Sequence, residues 1–120
     1  MSSDPHADYA SNLQAEIQRM LATDIVVLAA RSFVALFPGV YLGRDLGPGK
    51  IRKWLREEFG KPRWTETNTY AFDALTVEIE LIYERARVAA RKSGGQLILL
   101  PRGLQLLAAP DPVAALRELL

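Results

Sequence analysis

Cysteine is absent from the 120 residues, and histidine occurs once, at position 6. The first absence removes disulfides, thiolate zinc sites and thiol nucleophiles together, and it fits a reducing compartment. The second leaves a single imidazole near the start of the sequence, where chain ends fray and a general base has no fixed geometry. Histidine-based metal clusters and a Ser-His-Asp triad are therefore not expected. Long apolar runs are lacking too. The richest, Ile25 to Phe37, is interrupted by Arg31 and Ser32 and stopped by Pro38-Gly39. A spanning helix needs roughly 20 apolar residues, so this segment reads as a buried helix. The opening MSSDPHADYASN is polar and acidic with no basic region ahead of an apolar one, which argues against a cleaved secretory signal and gives a cytoplasmic expectation.

Net charge is also small, at +1, but its distribution is uneven. Arg44 to Trp64 holds seven basic and three acidic residues, a net +4. Arg85 to Arg102 holds five basic residues and no acid. Between them, Thr65 to Glu84 carries five acids and no base. Two cationic islands thus flank an anionic stretch, a segregation that the near-neutral total conceals.

The apolar spacing predicts a chain built from helices. Asp4-Pro5 offers an N-cap and N1 pair, and Leu13, Ile17, Met20, Leu21, Ile25, Leu28 and Phe33 then recur at helical steps up to Pro38-Gly39. The glycines and proline of VYLGRDLGPG read as a loop. A short helix over about 50–59 would bury Ile51, Trp54, Leu55 and Phe59, with Gly60 as its left-handed stop. The strongest periodicity follows: Phe72, Leu75, Ile79, Ile82, Ala86 and Ala89 share one face, predicting a helix over 66–92, roughly 40 Å long, closed by Ser93-Gly94-Gly95. Gln96 to Leu100 reads as a brief extended run, Pro101 opens a small helix, and Asp111-Pro112 caps a last one through Leu120. The chain reads as a single helical domain: an N-terminal helical extension over 1–43, a core over 48–108 and a C-terminal helix over 109–120.

No catalytic constellation emerges, and no enzymatic activity or cofactor is expected. GRDLGPGKI resembles a phosphate-binding P-loop only in part, because Arg44 stands where the first glycine is required and Ile51 where the hydroxyl is. Glu57-Glu58 point to different sides of a helix, and Glu80 with Glu84 fits a solvated helix face better than a metal pair. No metal is expected. Trp54 and Trp64 lie among cations, where an indole can stack on a base, but Trp54 falls on the apolar side of its helix.

The islands stand at opposite ends of the predicted long helix. Two chains with these helices antiparallel would bring the first island of one to the second of the other, giving one cationic platform at each end. Short helix, loop, long helix, loop, short helix resembles the histone fold, in particular the histone-like proteins of bacteria and archaea. The resemblance runs over about 48–108, through IRKWLREEFG, YAFDALTVEIELIYERARVAARK and SGGQLILLPRGLQLL. It implies an all-α fold with an extra N-terminal helix and a homodimer crossed through Phe72, Leu75, Ile79, Ile82 and Ala86. It further implies duplex DNA held by its phosphates through Lys50, Arg52, Lys53, Lys61, Arg63, Arg91 and Lys92, to which the two islands add Arg56 and Arg102 as expected contacts. The sequence departs from that family at Leu100-Pro101-Arg102-Gly103, where an aspartate commonly stands, and in its apolar N-terminal helix, which can cover the core, supply a second half or bind a partner. The alternative is a helical protein-interaction module or assembly subunit whose islands meet an acidic partner. No membrane association is expected.

Overall fold

Asp24 sets the first boundary. Its carboxylate accepts the Val26 N–H at 2.9 Å and so caps α1, Ile25–Leu36. The helix stops at Phe37, whose N–H reaches Phe33 at 3.0 Å, before Pro38 and a left-handed Gly39. The computed structural model describes residues 24–40, 45–60 and 66–120, with 66–68 described in backbone alone. The predicted helical residues before 24 lie outside that set.

The elements then follow in order: β1, Asp45–Leu46; α2, Lys50–Glu58; α3, Glu66–Ala86; β2, Ala89–Arg91; β3, Leu97–Leu99; α4, Pro101–Ala108; α5, Pro112–Leu119. The helix α2 occupies almost the predicted span and buries Ile51 and Leu55, with Phe59 just past its end and Gly60 left-handed at φ +82°. Asp111 caps α5 by accepting the Ala114 N–H at 3.1 Å, with Pro112 in its first turn.

The all-helical expectation is corrected by a three-stranded antiparallel sheet in the order β1-β3-β2, which makes the fold α+β. Asp45 faces Ile98 and Leu46 faces Leu97; on the other edge Ala89, Ala90 and Arg91 face Leu99, Ile98 and Leu97. The long helix is shorter than its apolar period suggests, at 21 residues rather than 27. Arg87 turns left-handed at φ +58°, its N–H bonds Glu84 at 3.1 Å, and the Val88 N–H reaches back to Tyr83 at 3.1 Å. This pair of bonds is a Schellman stop built on arginine rather than glycine. Val88 and Ala89 are then buried as the chain turns into the sheet.

One core joins these parts. Its centre is Leu28, Phe33 and Phe37 of the first helical segment, Phe72, Ile79 and Tyr83 of α3, and Leu106 and Leu116 of the last two helices. The helix α1 packs against α2, α3 and α5, which cover the inner face of the most apolar run in the sequence. Each large apolar side chain removed from water there contributes about 1.5–3 kcal/mol. Phe33 stacks on Phe37 with centroids 4.4 Å apart, and Tyr83 meets both edge-on at 5.3 and 5.9 Å.

Ser32 is the one buried polar side chain in this core among the described residues, and it is partnered twice. Its hydroxyl donates to the Ala29 carbonyl at 3.0 Å and meets the Tyr83 hydroxyl, which must therefore be the donor of that second bond. Burial pushes the Tyr83 phenol far above its ordinary value, an effect the Ser32 bond partly offsets, so the ring stays neutral. The two ends of the bond respond unequally. Tyr83→Phe leaves Ser32 with its Ala29 partner and should cost about 1 kcal/mol in urea unfolding. Ser32→Ala strands a buried phenol hydroxyl and should cost about 2–3 kcal/mol. The double variant should be no less stable than Ser32→Ala alone.

A second link ties the chain's described ends. The Arg117 guanidinium on α5 pairs with Asp24 and, with the Val26 N–H, holds its carboxyl below the usual value of 3.8. A depressed carboxylate stabilises the fold fully above its unfolded value and loses that effect as pH falls through the folded one. Asp24→Asn keeps a capping side chain but not the charge. Thermal midpoints of this variant at pH 7 and pH 3 should therefore differ by less than those of the parent chain.

Candidate nucleic-acid interface

The sheet decides where the two cationic islands go. Because β1 leads into α2 and pairs with β3, the hairpin brings Lys92 to Asp45, just ahead of α2, within one chain. The hairpin between β2 and β3 closes with a Lys92 N–H to Gln96 bond at 2.8 Å, and its turn contains two consecutive left-handed glycines, Gly94 at φ +90° and Gly95 at φ +80°. Only glycine takes two such conformations in succession without strain. A Cβ at Gly95 would lie 3.6 Å from the Pro48 side chain. The turn thus sits beside Pro48-Gly49-Lys50, and residues far apart in sequence form one rim. This corrects the expected geometry, in which the islands occupied opposite ends of a rod and met only across a dimer.

The cations on that rim differ in freedom. Lys50 and Lys53 are exposed, one helical turn apart, and have no ion-pair partner among the described residues. They line a shallow groove with Leu36, Trp54 and Glu57. The Trp54 ring is half-buried, with the Arg31 guanidinium 6.0 Å from its centroid, while Arg31 itself pairs with Glu58. Lys92 lies 3.5 Å from Asp45, a long contact between half-exposed groups that a phosphate can replace.

The remaining predicted contacts are placed less favourably. Arg52 pairs with Asp73 at 2.7 Å across to α3. Arg91 is held by Glu80 and, at 3.6 Å, by Glu84, so the two carboxylates first weighed as a metal pair serve an arginine instead. Arg56 is half-buried on α2. Arg102 is exposed in the first turn of α4, after β3. Lys61, Arg63 and Trp64 lie outside the described residues.

The residues expected at a dimer crossing are placed otherwise. Phe72 and Ile79 are fully buried, and Leu75, Ile82 and Ala86 are at most 6% exposed in the single chain. They form the inner face of α3 against α1 and α5, so a partner helix could reach them only by displacing this chain's own core. The hairpin turn is the feature that periodicity missed; Ser93-Gly94-Gly95 marked it, but as a helix stop. Among the described residues no helix is long and apolar enough to cross a membrane. No family model, curated protein or solved structure matches this chain.

Proposed function

We propose that the chain is a non-enzymatic duplex-DNA-binding domain that holds the phosphate backbone with the rim formed by the start of α2 and the β2–β3 turn. The observation that carries this reading is that the β1–β3 pairing sets the hairpin turn beside Pro48 and Lys92 beside Asp45, just ahead of the helix that carries Lys50 and Lys53. Ser93, Gly94 and Gly95 give the turn no bulk, so a sugar-phosphate chain can approach its backbone closely.

Phosphate contact rather than base reading fits the outer surface of α3. That surface carries Asp73, Glu78 and exposed Tyr70, Val77 and Leu81, which oppose insertion into a groove walled by phosphates. Binding should be sequence-tolerant and fall steeply with salt. Mobility shifts of unrelated duplexes at low and physiological salt test this. Comparable shifts at low salt that vanish at high salt support the reading; no shift at low salt ends it.

The alternative of a module for an acidic protein partner was motivated by the apolar run Ile25 to Phe37. In that run Leu28, Ala29, Ala30, Phe33 and Phe37 are buried, while Ile25, Val26, Val27, Val34 and Leu36 are half-buried.

A further inference from the structure

The helix α3 has a second apolar face, and this one is uncovered. Tyr70, Ala74, Val77 and Leu81 follow one another at steps of three or four along its outside, with Tyr70 79%, Val77 48% and Leu81 43% exposed. Asp73, Glu78 and Arg85 edge the same stripe. Tyr70, Asp73, Ala74, Val77 and Glu78 together line a groove of about 400 Å³. No such row is needed by the DNA reading, and it stands independently of that reading.

The charges on this stripe are not scattered. Its first half is acidic, through Asp73 and Glu78, and its last turn carries Arg85. Neither Glu78 nor Arg85 has an ion-pair partner among the described residues. They lie two turns apart on the same flank, separated by Leu81. A two-fold axis perpendicular to a helix turns the helix end for end but keeps each flank facing itself. A second α3 laid antiparallel over this one, crossing near Leu81, therefore sets Leu81 against its counterpart and each Glu78 opposite the other chain's Arg85. The Val77 side chain then lies along the aliphatic stem of that arginine.

We infer that this outer stripe of α3 is a docking surface for a second copy of the chain, paired antiparallel about Leu81. The pairing leaves the core untouched, since it uses the face opposite Phe72 and Ile79. It buries a short stripe, and so association in the micromolar range is expected.

Sedimentation equilibrium of the full chain from about 1 to 500 µM tests it. The mass should rise from 13.4 kDa towards twice that value. Leu81→Glu should keep it at the monomer value with an unchanged thermal midpoint. Glu78→Arg and Arg85→Glu should each weaken association about tenfold, because each reversal sets like charges against one another twice. Combined, the two reversals should recover association to within about threefold of the parent. A parent chain monomeric throughout overturns the inference. So does a dimer indifferent to Leu81→Glu, or one that the combined reversals do not recover.

Discussion

Alanine at Gly103 is expected to lower the stability of the fold by about 3 kcal/mol, read as a shift of the urea midpoint at unchanged slope. On an open helix the same change would help, since glycine is the poorer helix former by about 1 kcal/mol. Here the added Cβ would stand 2.4 Å from the Val88 carbonyl oxygen, 2.6 Å from Leu99 Cδ1 and 2.9 Å from Phe33 Cζ. The two side-chain ends can swing aside; the carbonyl cannot. It accepts the Leu100 N–H at 3.1 Å, the bond that joins the exit of the sheet to the entry of α4. Relieving the clash moves α4 away from the sheet and loosens this bond, adding an unsatisfied buried group to the overpacking. Trimming Leu99 to valine beside Gly103→Ala should therefore restore little. Gly47→Ala serves as the control, because nothing lies within 4 Å of its added Cβ and its backbone is not left-handed; its midpoint should scarcely move. Equal stability for the two alanine variants would mean that α4 does not pack on the strands as closely as described.

Gly103 also marks the limit of what periodicity conveys. Apolar residues at steps of three or four located α2 and α3, and the aspartate-proline pair at 111–112 located α5, because those signals are local. The sheet escaped for two reasons. The outer strands β1 and β2 have two and three residues, too few for alternation to register. Ala89, Ala90 and Arg91 are also good helix formers that continue the period of α3 in phase, so nothing local separates strand from helix. The actual stop lies at Arg87, whose left-handed backbone carries no glycine to announce it.

A similar division holds for the site. That α3 has an apolar face was legible in Phe72, Leu75, Ile79, Ile82 and Ala86. Which surface covers it was not, because α1 and α5 come to that face from distant parts of the chain. The histone-like arrangement supplied a second chain for that purpose. The fold supplies its own first and last helices instead, and the stripe on the far side of α3 stays exposed. The charge islands were likewise legible as tallies. Their meeting depends on Asp45 facing Ile98, a pairing across more than fifty residues that no window of sequence contains.

Reversing charge at Lys50 and Lys53 together is expected to reduce affinity for duplex DNA about 100-fold at low salt, with little change in thermal stability. Both side chains are exposed, one turn apart, and free of ion-pair partners among the described residues, so the fold loses no bond when they change. Each lysine removed also removes one released counterion, which should flatten the dependence of log affinity on log salt by roughly 0.9 per contact. Replacing a cation by an anion adds repulsion to that loss, which accounts for about tenfold per site. Lys92→Ala should lower affinity less, because it introduces no new charge, although it frees Asp45 to repel the same phosphates. Arg52→Ala distinguishes a local patch from a general effect of net charge. That guanidinium is spent on Asp73, so its removal changes net charge by as much as Lys92→Ala yet should affect binding less. Proportional losses at all four positions, tracking net charge alone, would show that the polyanion meets the whole cationic surface rather than the rim where the hairpin turn adjoins α2.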